Sequence, residues 1–79
     1  MAAQSLFAFT FTPHFEEKRG EGRRLTIEQP TADSPYIVRE HLKGGAIGAT
    51  RHYATLQNAR MAARGWLLFG APPAGGRDA

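Results

Sequence analysis

Residues 36–54 read YIVREHLKGGAIGATRHYA. Two runs rich in aromatic and β-branched residues flank Gly44-Gly45, a pair that favours a two-residue hairpin turn with positive φ at both central positions. We therefore predict antiparallel strands over 36–42 and 46–54, with paired residue numbers that sum to 89. In this register Val38 faces Arg51, Glu40 faces Ala49 and Leu42 faces Ile47.

The predicted register divides the hairpin into an apolar face and a basic face, because successive side chains of a strand alternate. The face expected to pack on the core carries Tyr36, Val38, Leu42, Ile47, Ala49 and Tyr53. The face expected to meet solvent or a partner carries Ile37, Arg39, His41, Lys43, Ala46, Gly48, Thr50 and His52. Glu40 and Arg51 interrupt the apolar face, and their diagonal positions place them to pair.

A helix is predicted directly after the hairpin. Thr55 is a good N-cap, and Leu56, Ala59 and Ala63 recur at helical spacing. Gly65 is placed to end the helix in the left-handed conformation. Alternatively the helix continues to Phe69 at a cost of about 1 kcal/mol for an interior glycine. The pattern of Trp66-Leu67-Leu68-Phe69 fits a short buried strand or a buried helix end equally well.

Two further strands are predicted upstream of the hairpin. Leu6–Thr12 alternates Phe7, Phe9 and Phe11 with smaller residues, and Arg23–Gln29 alternates again before Pro30. Between them, residues 14–22 (HFEEKRGEG) are charged and carry two glycines, so we expect a connecting loop. Residues 30–35 (PTADSP) contain turn formers and are expected to form a second loop, with a strand rather than a helix starting after Pro35.

These elements predict an α+β fold, in which an antiparallel sheet of four strands, or five if residues 66–69 form a strand, packs on one C-terminal helix. At 79 residues the chain is expected to form a single domain over 1–69. Residues 70–79 (GAPPAGGRDA) are predicted to be a disordered tail. A domain this small has little room for both a core and a deep cleft, since it buries only roughly 60% of its unfolded surface.

The charge is unevenly distributed along the chain. Ten basic and seven acidic residues give a formal charge of +3. Residues 1–40 carry a net charge of −1, residues 41–79 carry +4, and no acid occurs between His41 and Gly76. Arg39, His41, Lys43 and His52 fall on the predicted open face, whereas Arg60 and Arg64 fall on the helix. A surface for phosphates or for an acidic protein patch and an ordinary solvated face explain this pattern equally well.

Known catalytic and metal-binding patterns are not evident in the sequence. Cysteine is absent, so a disulfide framework and thiolate metal ligands are excluded. His14, His41 and His52 are not at metal-ligand spacing, and no serine belongs to a recognisable nucleophile motif. Lys43–Gly48 lacks the Gly-Lys-Ser/Thr ending of a phosphate loop, so a hairpin turn explains it better. We expect no enzymatic activity, no cofactor and no bound metal.

Compartment and oligomeric state follow from the apolar residues. Residues 1–13 lack the basic start of a secretory signal, and the apolar run Trp66–Phe69 is far shorter than the roughly 20 residues of a membrane-spanning helix. We therefore expect a soluble protein of the cytoplasm. Core packing is expected to use most of the large aromatics, and any that stay uncovered would form a partner or homodimer interface. Both a monomer and a homodimer fit the sequence.

Residues 36–66 resemble the end of the arm-binding domain of phage tyrosine integrases. The likeness lies in a strand, a short turn, a strand ending in Tyr53-Ala54-Thr55, and a helix reading LQNARMAARGW. In that family a three-stranded sheet packs on a helix, and its open face enters the DNA major groove. The resemblance implies groove contacts for Arg39, His41, Lys43, Thr50 and His52. The present chain departs from the family in lacking dense lysine and arginine on the strands and a downstream catalytic domain.

The whole chain resembles small phage- or prophage-encoded anti-CRISPR proteins. The likeness lies in size, single-domain α+β layout, absence of cysteine, a GC-rich bacterial composition and the lack of a catalytic constellation. It implies an inhibitor that acts in the cytoplasm of the bacterial host cell, binds a subunit of a type I crRNA-guided surveillance complex and blocks recruitment of target DNA. The basic chain argues against an acidic mimic of DNA and for steric occlusion.

The sequence therefore favours a non-enzymatic protein-binding inhibitor. A small DNA-binding module that uses the open face of the sheet is the alternative. For the inhibitor, the expected partner-contact residues are Arg39, His41, Lys43 and His52, with Arg60 and Arg64 as secondary contacts.

Overall fold

A computed structural model describes residues 11–73. Four strands are followed by one helix: β1 (His14–Gly20), β2 (Arg23–Gln29), β3 (Tyr36–His41), β4 (Ile47–Tyr53) and α1 (Leu56–Phe69). The strands form one antiparallel sheet in the order β1-β2-β3-β4, and α1 packs across one face of it. The predicted α+β fold, a four-stranded antiparallel sheet on a C-terminal helix, is confirmed.

The first strand lies elsewhere in the chain than predicted. Residues 14–20, expected to be part of a loop, form β1, which pairs along its whole length with β2. The connection is only Glu21-Gly22, whose φ angles of 51° and 79° are those of a type I′ turn. A strand at a sheet edge tolerates charge on both faces, which is why the charged sequence did not indicate it. In the predicted strand Leu6–Thr12, residues 6–10 lie outside the described residues, and Phe11 and Thr12 are not in a strand.

The β3–β4 hairpin keeps the predicted register at its open end and loses it near the turn. Tyr36 pairs with Tyr53 and Arg39 with Thr50, as expected, but His41 pairs with Ile47. The turn holds three residues, Lys43–Gly45, and both its glycines have positive φ. It is closed by a bond from the Leu42 N–H to the Ala46 carbonyl at 2.8 Å. The one-residue offset is absorbed by a bulge in which two β4 residues oppose Glu40.

Because of this bulge, the observed faces of the hairpin differ from the predicted faces near the turn. Ile47 lies beside His41 on the face away from α1, instead of opposite Leu42 on the core face. Leu42 and Ile47 are both exposed, so neither belongs to the core as the sequence had suggested. Gly48 lies against Leu42, since a Cβ at Gly48 would be 3.3 Å from that side chain.

Helix α1 begins after the predicted cap, Thr55, and ends at Phe69, the later of its two predicted ends. The Thr55 Oγ1 accepts a hydrogen bond from the Asn58 N–H at 3.0 Å, as an N-cap does. The helix continues through Gly65 to Phe69, so residues 66–69 are not a fifth strand. It ends at Gly70, where φ is 97° and the N–H reaches the Trp66 carbonyl. Arg23 donates to the Leu67 carbonyl at 3.0 Å, which places a cation at the negative end of the helix dipole.

Gly65 lies inside α1 with open space around it, because a Cβ there would meet no atom within 4 Å. Gly65→Ala is therefore expected to raise the free energy of unfolding by about 0.5–1 kcal/mol, mainly by restricting the unfolded chain. Urea unfolding followed by far-UV circular dichroism measures this difference. Gly22→Ala is the matched control and should be destabilising, since its φ of 79° suits glycine. A loss of stability in Gly65→Ala would contradict the prediction.

The core lies between the sheet and α1. It consists of three side chains from the sheet and three from the helix: Leu25, Ile27, Val38, Ala59, Ala63 and Trp66. Trp66 is the largest of them, and its indole Nε1–H donates to Glu40 Oε1 at 3.0 Å. The guanidinium of Arg51 lies 5.9 Å from the centre of the Trp66 ring. Glu40 and Arg51 thus both contact Trp66, and within residues 11–73 they do not form the predicted diagonal pair.

Arg51 also holds the chain that follows the helix. Its Nε and Nη2 donate to the Pro72 carbonyl at 2.9 and 2.6 Å. Of the predicted tail, residues 70–73 are described, and residues 74–79 lie outside the described range.

Candidate interaction surface

The sheet has one face packed on α1 and one face without a covering element in residues 11–73. We call the second the open face. Its residues alternate with the core residues along each strand: Phe15, Glu17, Arg19, Arg24, Thr26, Glu28, Ile37, Arg39, His41, Ile47, Thr50 and His52. Two rows cross all four strands, one of Phe15, Glu28, Ile37 and His52 and one of Glu17, Thr26, Arg39 and Thr50.

A polar network occupies the centre of the open face. Thr26 is only 1% exposed, although it lies on the side opposite the helix. Its Oγ1 lies 3.0 Å from Glu28 Oε2 and 2.7 Å from His41 Nε2. When the hydroxyl donates to Glu28, the imidazole Nε2–H donates to the hydroxyl. Arg39 Nη1 completes the network by donating to Glu28 Oε1 at 2.9 Å. The network fixes the side chains at the centre of the open face.

The close approach of Thr26 and His41 does not form a nucleophile site. A hydroxyl nucleophile needs access to its substrate, and Thr26 is buried. In a catalytic triad the carboxylate orients the imidazole, whereas Glu28 here contacts the hydroxyl and Arg39. Thr26, Glu28 and His41 instead form a side-chain hydrogen-bond network on the sheet.

A second ion cluster lies beside this network on β1 and β2. Glu17 Oε2 accepts hydrogen bonds from Arg19 Nε at 2.7 Å and from Arg24 Nε at 2.8 Å. The bonds from Arg24 and then Arg19 lower the pKa of Glu17 below its ordinary value. The open face therefore carries three arginines and two glutamates, and each glutamate contacts at least one arginine.

Apolar side chains flank the polar centre. Phe15 is 61% exposed at the β1 end of its row, and Ile47 is exposed beside His41 on β4. Ile37 is half-buried between them. Phe11 and Phe69 are exposed as well, and Trp66 is the one large aromatic of residues 11–73 that is fully buried, so within this range the expectation that core packing uses most of the large aromatics is not met.

The six predicted contact residues divide between two sides of the molecule. Arg39, His41 and His52 lie on the open face, and Lys43 is exposed in the β3–β4 turn. Arg60 and Arg64 lie on α1, which packs against the other side of the sheet. The structure therefore brings three of the predicted residues together on one face and places the two helical arginines away from it.

Sequence reasoning missed the β1 contribution to the open face. Phe15, Glu17 and Arg19 join the surface only because residues 14–20 form a strand. The signal in the sequence was the pair Glu21-Gly22, whose glycine favours a tight turn between two strands. The charges obscured it.

On the helix side of β1, Glu16 is the centre of a cationic cluster. Its carboxylate accepts hydrogen bonds from the Arg60 guanidinium, lies 2.9 Å from His14 Nε2, and lies 3.4 Å from Lys18 Nζ. The Arg60 hydrogen bond is the main cause that lowers the pKa of Glu16 to about 2, and the His14 bond adds to it. Glu16 also raises the pKa of Arg60. This pair connects β1 to α1.

The Glu16 cluster predicts a specific loss of stability in acid. Because the folded pKa of about 2 lies below the ordinary 4.5, the contribution of Glu16 is complete above pH 4.5 and disappears as the pH falls towards 2. After allowance for the half-exposed Arg60, we expect Glu16→Gln to cost about 1–2 kcal/mol at pH 7 and almost nothing near pH 2. Urea midpoints measured from pH 2 to 7 test this, with Glu21→Gln in the exposed turn as the control. An equal cost at every pH would contradict it.

The described residues contain no group of three or more histidine, aspartate or glutamate side chains that could hold a metal ion. Within the same range, no helix has the length and apolar character needed to cross a membrane. Comparisons of the chain with protein-family models, with curated proteins and with solved structures found no match.

Proposed function

We propose that this protein is a non-enzymatic protein-binding inhibitor and that the open face of its sheet is the contact surface. It acts by covering a functional surface of its partner. The proposal rests on the charge pattern of the open face, which suits a protein partner better than a nucleic acid.

The charges on the open face are balanced at close range. Glu28 lies 2.9 Å from Arg39, and Glu17 lies within 2.8 Å of both Arg19 and Arg24. Phosphate binding draws its strength from cations that are free to replace counterions. A DNA backbone on this face would meet Glu17 and Glu28 at the places where it needs positive charge. A mosaic of both signs matches a protein surface, where complementary charges give specificity and register.

The apolar residues of the open face support the same choice. Phe15, Ile37 and Ile47 offer carbon surface beside the fixed polar centre, and His52 extends the row at β4. Protein interfaces combine aromatic anchors and arginine with a polar surround, and a few such anchors supply most of the binding energy. Phe15 is the strongest anchor candidate because it is a large aromatic and 61% exposed.

The resemblance to small anti-CRISPR proteins supports the choice of target. We propose that the partner is a subunit of a bacterial type I surveillance complex and that binding blocks recruitment of target DNA. The net charge of +3 favours steric occlusion over imitation of DNA.

Co-purification with type I surveillance complexes tests the target. The full chain is tagged, mixed with purified crRNA-loaded complexes of several subtypes, and assayed for association and for binding of target duplex DNA by the complex. We expect a stable association that lowers target binding. If the protein associates with none of these complexes, this choice of target is wrong.

Matched variants test the contact surface. Phe15→Asp and His52→Glu are expected to weaken the association at least ten-fold, because the first removes the aromatic anchor and both bury a new unpaired charge in the contact. Ala32→Glu adds the same charge in the exposed β2–β3 loop and should leave the association unchanged. Circular dichroism confirms that each variant is folded. Equal loss in Ala32→Glu would contradict the assignment to the open face.

A DNA-binding module is the competing function, and a gel shift with duplex DNA at physiological salt separates the two. We expect little binding of free DNA. Tight binding that falls steeply with salt and is reduced in Arg39→Ala or Lys43→Ala would overturn the protein-binding proposal in favour of groove binding.

A further inference from the structure

The outward surface of α1 forms a groove that the proposed function does not use. One part, of about 390 Å³, is lined by Leu56, Gln57, Arg60, Met61 and Arg64. The adjoining part, of about 250 Å³, lies between α1 and β1 and is lined by Lys18, Arg60, Ala63, Arg64 and Leu67. Arg60 and Arg64 are common to both parts, so the two parts run together along one side of the helix. We call this surface the helix groove.

Positive charge dominates the helix groove. It is lined by Lys18, Arg60 and Arg64, and the sequence of α1 contains no acid. Glu16 is the carboxylate that offsets this charge, and it is engaged with Arg60 and Lys18. No carboxylate of residues 11–73 lies within ion-pair distance of Arg64, which is exposed. Arg64 is therefore available to an acidic group of a partner.

Apolar side chains lie in line with these cations. Met61, Arg64 and Leu68 follow the spacing i, i+3, i+7 and form one stripe along α1. Met61 and Leu68 are 63% and 54% exposed, and Phe69 at the end of the helix is 85% exposed. Gly65 lies within this stretch, and the space where its Cβ would be is empty to 4 Å, so a partner backbone has room to approach. The stripe spans about 10 Å, or two helical turns.

We infer that the helix groove is a second docking surface, whose occupant is an acidic amphipathic helix of a protein partner. Acidic side chains of that helix pair with Arg64 and Lys18, and its apolar side chains cover Met61 in the groove and Leu68 next to it on the stripe. A helix laid in a groove presents its own apolar anchors at i, i+3 and i+7, and such a row can lie along the two-turn stripe of α1. A nucleic acid would leave the apolar residues uncovered. In a second copy of this chain, facing α1 surfaces would place Arg60 and Arg64 against their own equivalents.

A designed peptide provides the probe. A labelled helical peptide with leucine on one face and glutamate on the other is titrated with the full chain, and binding is followed by fluorescence anisotropy. A peptide of the same composition with the leucines spread around the helix and a peptide with lysine in place of glutamate are the controls. We expect the amphipathic acidic peptide to bind at least ten-fold more tightly than either control. No binding, or equal binding of the three peptides, would overturn the inference.

Variants locate the binding on the chain. Arg64→Glu and Met61→Asp are expected to weaken binding of the acidic peptide at least ten-fold, whereas Phe15→Asp on the open face leaves it unchanged. Unchanged binding in Arg64→Glu would overturn the inference. If the protein binds duplex DNA and Arg64→Glu abolishes that binding, the occupant is a nucleic acid and the inference is wrong. If the protein self-associates in sedimentation and Met61→Asp abolishes the self-association, the occupant is a second copy of the chain and the inference is also wrong. The two surfaces lie on opposite sides of the sheet, so either test can fail without the other.

Discussion

Replacement of Trp66 by alanine is expected to remove most of the free energy of unfolding at 25 °C. Trp66 is 1% exposed and joins α1 to the three sheet residues of the core. Truncation of a buried tryptophan to alanine costs about 3–5 kcal/mol, because the transfer free energy is lost and a cavity remains. A small domain has a total stability of only about 5–15 kcal/mol and is expected near the lower end. Far-UV circular dichroism in urea is the measurement, since Trp66 is the only tryptophan of the chain.

Two further variants separate the contributions at this position. Trp66→Phe keeps most of the volume but leaves Glu40 without its indole donor, so it should cost about 1–3 kcal/mol. Phe69→Ala, at an exposed position three residues away, should change the stability by less than about 0.5 kcal/mol. If Trp66→Ala and Phe69→Ala had similar stabilities, the assignment of Trp66 to the core would be wrong.

The parts of the fold that the sequence predicts well are those with an unambiguous local signal. Thr55 before a 3.6-residue apolar pattern places the start of α1 correctly. The two glycines of the β3–β4 turn and the flanking β-formers predict the hairpin, and its register holds from Tyr36 to Arg39. Each of these signals is contained within a few neighbouring residues.

The remaining features depend on contacts between distant residues. The bulge opposite Glu40 arises because the turn closes through Leu42 and Ala46, which no periodicity shows. The glycine at position 65 is tolerated inside α1 because Trp66 gains burial one residue later. The charged residues of β1 are accommodated in a strand because they pair with residues of β2 and α1, as Glu17 does with Arg24 and Glu16 with Arg60.

The same dependence explains why the candidate site was only partly predicted. The alternation of β3 and β4 placed Arg39, His41 and His52 on one face correctly, and the sequence also showed that Arg60 and Arg64 lie on a helix. It did not show which side of the sheet that helix covers. Strand β1 contributes to both surfaces, with Phe15 and Glu17 on the open face and Lys18 on the helix groove. The missed strand therefore concealed the separation of the two surfaces.

The distance between α1 and the sheet is set by small side chains, and Ala59→Leu tests this. Ala59 is fully buried, so the added carbon atoms have no free volume unless the helix moves away from the sheet. Overpacking of this kind costs about 1–3 kcal/mol, despite the extra apolar surface.

Urea unfolding measures the loss in the free energy of unfolding of Ala59→Leu. A red shift in the fluorescence of Trp66 would report a displaced helix, because Trp66 lies two turns further along the same buried face of α1. Ala62→Leu is the matched control, since Ala62 is only partly buried and its substitution should change stability by less than about 0.5 kcal/mol. Equal stability of the two variants, with unchanged emission, would mean that α1 adjusts freely. In that case the small buried residues would not determine the position of α1 on the sheet, nor that of the helix groove.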